Sequence, residues 1–250
     1  MQRKELERYL HDYLRVDKYS DYCPNGLQVA GRDEIRKIVT GVSACAALFE
    51  KALEQKADAI IVHHGLIWKN VQPTYRGGYK KRIKLLLEND ISLFGFHLPL
   101  DAHPEIGNNA QLACVFALQD VAEFCEYNGQ AIGFKGTVPG LSCETFFGIV
   151  KEKINPQARI FPFGPEQISS VGIVSGGAPK EAVQAVAEEL DVYLTGEAAE
   201  YSMHYAREEG FHYIAAGHHA TERFGIRALG EHLQEKFPLE VRFIDIPNPV

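Results

Sequence analysis

ADAIIVHHG, residues 57–65, is a short apolar run that stops at two histidines and a glycine. Its length is that of a strand, and its lack of polar alternation marks a buried one. Outward from it, IRKIVTGVS (35–43) reads as a strand and ACAALFEKALEQK (44–56) as the helix between the two. On the other side, YKKRIKLLLEND (79–90) reads as an amphipathic helix, basic then acidic, and ISLFGFH (91–97) as the next strand. NNAQLACVFAL (108–118) opens with asparagines able to cap a helix. From about 120 to 168, Gly and Pro punctuate an amphipathic helix near ETFFGIVKEKI, and then the alternation returns: SSVGIVSGG, PKEAVQAVAEEL, DVYLTGE, AAEYSMHYAREEG, FHYIAAGHH, ATERFGIRALGEHLQEKF and VRFIDIP. Strands alternating with helices predict an α/β fold in which mixed sheets are flanked by helices.

The two halves resemble each other. DAIIVHH (58–64) aligns with DVYLTGE (191–197), and ISLFGFH (91–97) with HYIAAGH (212–218), which sets His97 opposite His218 and Asp101 opposite Glu222. The expected organisation is therefore two similar lobes: 1–125 with His63, His64 and Asp101, and 126–250 with His218 and Glu222, a metal site lying in the cleft between them.

Composition narrows the function. The 250 residues are 46% hydrophobic, enough for an ordinary core, and the net charge of -7 is spread along the chain without a basic block. Nucleic acid and anionic membrane are thus not expected as partners, whereas a small molecule is. Five cysteines, odd in number and without a C-x-x-C, point to reduced thiols. The N-terminus MQRKELERYLHDYL reads as an amphipathic helix instead of a leader, and no apolar run has the length of a membrane span. A cytoplasmic protein is expected.

The chemistry sits at strand ends, where the loops of α/β sheets carry ligands. His63 and His64 end one buried strand, and because neighbouring side chains on a strand face opposite ways, the pair can serve two ions. His97 ends the next strand. Pro99 argues against a regular helix over the following residues, so His97 and Asp101 are expected in an ordered loop, Asp101 able to bridge two cations. In GHHATERFG (217–225), His218 and Glu222 stand four residues apart where a strand runs into a helix, a spacing suited to one divalent ion. His219 with Glu222 is the alternative pairing. Each feature has an ordinary reading alone: a backbone-bonded histidine, a turn aspartate, a helical i,i+4 pair. Three such strand ends together favour two divalent ions held by His63, His64, Asp101, His218 and Glu222, with His97 and Glu222 as candidate catalytic groups. Nitrogen and carboxylate donors without cysteine suit Zn, Fe, Mn or Co, and five donors for two ions leave coordination positions open.

His11, His103, His204, His212 and His232 are weaker candidates, while Glu197 at a strand end is a better one. SGGAPK (175–180) lacks the spacing of a phosphate-binding fingerprint and reads as a Gly-rich turn before Pro179; Ser43 and Ser175 lack a nucleophile-elbow context. Lys69, Arg76, Lys80 and Lys81 read as a solvated basic face.

IIVHHG, FHLPLDAHPEIGNN, AAGHHATERFG and PNGLQVAG resemble the Nif-three-like family, in its short bacterial form, whose members are commonly named GTP cyclohydrolase 1 type 2 homologues. The resemblance spans nearly the whole chain. It implies two α/β lobes, a dinuclear metal site on the same five residues with His97 close by, a homohexamer, and hydrolysis of a nucleotide-like substrate. A metal-handling protein without turnover is the competing reading, and an interaction module whose metals support the fold is a third.

Overall fold

The computed structural model describes residues 1–69, 71 and 74–250. The chain packs as two compact units, Met1–Leu100 with Gly225–Ile246, and Asp101–Phe224 with Pro247–Val250.

The first unit holds a five-stranded sheet. Its strands are β1 (Gly26–Val29), β2 (Lys37–Ser43), β3 (Ala59–His64), β4 (Ser92–Gly95) and the last strand of the chain, β11 (Glu240–Phe243), in the order β1-β4-β3-β2-β11. β11, β2, β3 and β4 run parallel, and β1 lies antiparallel on β4. The apolar run is buried from Ala59 to His63, as a strand covered on both faces must be. Helices α1 (Arg3–Tyr13), α2 (Ala46–Glu54) and α3 (Gly77–Glu88) belong to this unit. Leu48, Phe49 and Ala52 of α2 join Val39, Ile60, Val62, Leu86 and Leu93 in one core cluster.

The second unit holds six strands: β5 (Gln119–Tyr127), β6 (Gln130–Ser142), β7 (Arg159–Pro162), β8 (Gln167–Ile173), β9 (Val192–Thr195) and β10 (His212–Ala215), ordered β5-β6-β8-β9-β10-β7. β8, β9 and β10 are parallel; β5, β6 and β7 pair antiparallel. Helices α5 (Asn108–Val115), α6 (Cys143–Ile149), α7 (Ala182–Ala187) and α8 (Ser202–Glu209) belong to this unit, while α4 (Leu98–Asp101) and α9 (His218–Lys236) are divided between the two, after Leu100 and after Phe224. The sheet interior is filled by Ile168, Val171, Ile173, Val192, Leu194 and Ile214, with Phe116 stacked on Phe146 at 4.4 Å.

The mixed, helix-flanked α/β class expected from the sequence is the class observed. The partition into 1–125 and 126–250 differs from the packing, because β11 returns to pair with β2 and the chain leaves the first unit already after Leu100. Asp101 thereby falls in the second unit. A second difference is local. Leu98–Asp101 is one turn of helix and not a loop; Pro99 sits in its first turn, where no intrahelical N–H partner is needed. Third, the asparagines that open α5 do not cap it, since Gly107 occupies the N-cap position. Among the described residues no helix is long and apolar enough to cross a membrane.

Candidate metal centre

In the first unit the parallel pairing of β2, β3 and β4 builds a cluster of histidines. His63 and His64 are the last two residues of β3, and their ring centroids come within 4.6 Å. His97, two residues beyond β4, stands 5.1 Å from His63 and 5.7 Å from His64. A nitrogen from each of the three lies within 4.8 Å of the others. His97, expected only beside the ligands, is thus part of the same group.

The second unit gathers three acids and a histidine. Asp101 ends α4 and accepts hydrogen bonds at Oδ1 from Asn108 Nδ2 at 2.8 Å and Ser175 Oγ at 2.9 Å. His218 and Glu222 lie one turn apart at the start of α9, with Nε2 3.1 Å from Glu222 Oε1. Helix α9 begins at His218 itself, which puts His218 and Glu222 on one face as their spacing predicts. On the other side of the ring, His218 Nδ1 is 2.6 Å from Glu197 Oε1. Carboxylate oxygens of Asp101 and Glu222 lie within 4.8 Å of each other, although Asp101 is only 7% exposed and Glu222 only 2%. Two buried carboxylates so close repel strongly unless a cation or a proton stands with them.

The backbone makes room for this arrangement at two glycines. Gly176, just past β8, has φ of +67°, and a Cβ there would come within 2.3 Å of Glu222 Oε1. Gly217 has φ of +96° and turns the chain from β10 into α9.

Four histidines share one feature: Nδ1 faces an oxygen partner, which for His63, His97 and His218 can only accept. His63 Nδ1 is 2.9 Å from the Phe96 carbonyl, His64 Nδ1 3.3 Å from Ser43 Oγ, His97 Nδ1 3.0 Å from Asp21 Oδ1, and His218 Nδ1 2.6 Å from Glu197 Oε1. An Nδ1–H donated in this way fixes the ring and leaves Nε2 as the atom offered to a metal, the usual support of ligating histidines. Ser43 and His64 are register partners in β2 and β3, so the sheet itself sets that pair. His103 and His212 show the opposite pattern. His103 Nδ1 accepts from the Glu105 and Ile106 N–H groups, and both His212 nitrogens are bound to the backbone of Gly164 and Pro165. These two are structural.

Electrostatics follow the geometry. Burial alone would lower the His218 imidazole, but hydrogen bonds and charge from Glu222, then Glu197, outweigh it and push it up to about 9. Burial alone would raise the Asp21 carboxyl, yet His97, Asn25 and the Leu98 N–H hold it well below the usual carboxylate range. Asp21 also accepts from the Tyr22 N–H. Asp21 thereby orients the His97 ring.

The donor set fits divalent ions: imidazole nitrogens with fixed tautomers, and buried carboxylates crowded beside them. The family model of Duf34/NIF3 (NGG1p interacting factor 3) matches residues 1–249. The chain belongs to the Duf34/NIF3 family. It is 46% identical over the full length of both chains to a protein of Pasteurella multocida named GTP cyclohydrolase 1 type 2 homolog. Among solved structures it is similar to protein ybgI, described as of unknown function, with a TM-score of 0.95 at 44% identity and full coverage of both chains. TTHA1606 from Thermus thermophilus matches with a TM-score of 0.91 at 35% identity, again over the whole of both chains.

Several residues of this Duf34/NIF3 chain's candidate site carried no sequence signal. Asp21 lies outside any strand end, and Cys23, not counted among the donors from the sequence, has its sulfur within 4.8 Å of Asp21 and His97 donor atoms. Ser175 and Asn108, set aside as turn and cap residues, hold Asp101. Adjacent asparagines opening an apolar helix, both fully buried, were the one available clue. The basic residues behave as surface groups: Lys81 pairs with Glu50 at 2.7 Å, and Lys69 Nζ donates to the Asp21 carbonyl.

Proposed function

We propose that this Duf34/NIF3 protein is a metal-dependent hydrolase of a small nucleotide-like substrate, holding two divalent transition-metal ions (Zn, Fe, Mn or Co) on His63, His64, Asp101, His218 and Glu222. The observation that carries the reading is the pair of buried carboxylates, Asp101 and Glu222, within 4.8 Å of each other beside the oriented His218. Divalent ions with open coordination positions supply Lewis acidity and bring the pKa of water toward about 7. The chain's own residues do the rest. Phe96 O, Ser43 and Glu197 orient the three ligand rings, and Asn108 with Ser175 fixes one Asp101 oxygen. His97, its Nδ1–H donated to Asp21, takes and returns a proton at Nε2. The name shared by the relatives supports hydrolysis of a nucleotide ring. A cytoplasmic homohexamer is part of the same proposal, checked by light scattering on the purified protein.

The deciding experiment is elemental analysis of protein purified without added metal or chelator, beside His64→Ala and Glu222→Ala. About two equivalents in the parent, lost in both variants, are expected, together with turnover of at least one nucleotide or phosphoester by the loaded protein. Absence of metal in every sample removes the proposal. A second reading, metal handling without turnover, is favoured by the partial exposure of His64 and of His218, which leaves ligands open to exchange. Rapid transfer of metal to a chelator, with no turnover across the panel, selects it.

A further inference from the structure

The only tryptophan of the chain, Trp68, stands on the connection after β3, four residues beyond His64. It is partly exposed. Its ring centroid lies 5.9 Å from His64 and 5.5 Å from His97, meeting the latter nearly edge-on at 81°. Tyr22, 44% exposed, lies 5.0 Å from His97 at 74° and 5.7 Å from Trp68, with planes 30° apart. The two large rings are thus closer to parallel with each other than with His97, and both stand across the same imidazole. Together they form an aromatic wall beside the histidine cluster. Neither ring belongs to the cluster around Val39, Ile60 and Leu93.

We infer that Tyr22 and Trp68 are the stacking platform for a planar nitrogen heterocycle, the base of the substrate that the histidine cluster handles. This rests on the reading of that cluster as a substrate-handling centre. The spacing decides how such a ligand binds. A ring inserted between two others needs roughly 7 Å, two contact distances of about 3.5 Å, and the wall offers 5.7 Å. The ligand therefore lies on the outer face and not between the rings. Stacking suits any base because every base has a π-face, and a polar ring edge is then selected by hydrogen bonding. His97 ties the wall to the cluster, its Nδ1 committed to Asp21 and its Nε2 3.4 Å from Tyr22 Oη.

Trp68 also reports on its own ligand. Guanosine, adenosine and uridine monophosphates, with ribose 5-phosphate as the ring-free control, are titrated against the full chain, metal-free and metal-loaded, reading tryptophan emission and heat. The nucleotides are expected to quench emission saturably in at least one metal state and ribose 5-phosphate in neither. By calorimetry, Trp68→Ala raises Kd about tenfold or more and Trp68→Phe by less than about threefold. Tyr22→Ala, at an exposed position, weakens binding as well and keeps the test open if Trp68→Ala misfolds by circular dichroism. No saturable quenching by any nucleotide overturns the inference, as does unchanged nucleotide affinity in Trp68→Ala. A Trp68→Ala chain that changes oligomeric state while binding nucleotides normally makes the wall an interface between copies and also overturns it. The two proposals fail separately: binding without turnover leaves the platform and removes the hydrolase, whereas turnover untouched by Trp68→Ala leaves the hydrolase and removes the platform.

Discussion

Glu197 shows how much of the candidate centre depends on residues that would touch no metal. Its carboxylate accepts a hydrogen bond from His218 Nδ1–H at 2.6 Å, and Nε2 is then aimed at Glu222. Glu197→Gln keeps the shape and removes the charge. Metal affinity is expected to fall about tenfold to a hundredfold, with the fold unchanged by circular dichroism, since outer partners of ligating histidines contribute on that scale. The same pair sets a pH dependence. In the metal-free protein the folded-state value of His218 is raised to about 9 from about 6.5 in the unfolded chain, so its stabilisation is complete below about 6.5 and is lost as pH rises through about 9. A metal at Nε2 competes with that proton. Affinity measured by calorimetry should rise between about pH 6.5 and 9, with proton release visible in buffers of different ionisation heat; affinity flat across that range counts against His218 as a ligand. At this scale the sequence was legible where a polar residue interrupts an apolar run, as His63 and His64 do. It was silent on Asp21, whose partners His97 and Leu98 lie more than seventy residues away along the chain.

Strand ends and the first turns of helices do the positioning, and these elements were the most readable part of the chain. β2, β3, β4, β9 and β10 fall inside runs that their apolar content marks as strands, and β8 overlaps one, starting two residues before it at Gln167. What periodicity does not carry is the short piece between elements. The four-residue helix Leu98–Asp101 was hidden because proline signals the end of a helix as readily as its first turn. Asn108 and Asn109 had the look of caps because a capping hydrogen bond and a long-range one demand the same side chain. The turn after β8 offers the sharpest test at this scale. Gly176→Ala places a methyl 2.3 Å from Glu222 Oε1, on a backbone with φ of +67°. Relief requires the Glu222 carboxylate to move, so metal content is expected to drop well below that of the parent. Gly177→Ala is the control. Its φ is not in the left-handed region and its Cβ would meet nothing closer than 3.4 Å, so it should keep its metal. Equal metal in both variants would show that Glu222 tolerates displacement.

For the molecule as a whole, the class and the family were legible while the bookkeeping of the two units was not, because sequence order suggests two successive halves. The first unit is completed by residues from the far end of the chain. β11 pairs with β2 through Glu240–Lys37 to Phe243–Thr40, and β2 is buried from Ile38 to Val42. A chain ending at Phe237 would leave β2 as an open edge, unpaired in backbone and apolar in side chains. Such a truncation is expected to accumulate in the insoluble fraction and to lose the cooperative denaturant transition; full solubility with an unchanged midpoint would show that β11 contributes little.

The parallel pairing of β11 with β2 also matters before the protein is finished. A ribosome releases β1 to β4 long before it reaches residue 240, so the nascent first sheet displays an unfilled edge while Asp101–Phe224 of the second unit are being made. At a few to some twenty residues per second this exposure lasts on the order of ten seconds or more. During that interval the chain is a client for chaperones that bind extended apolar segments, and its yield depends on how fast the last strand arrives.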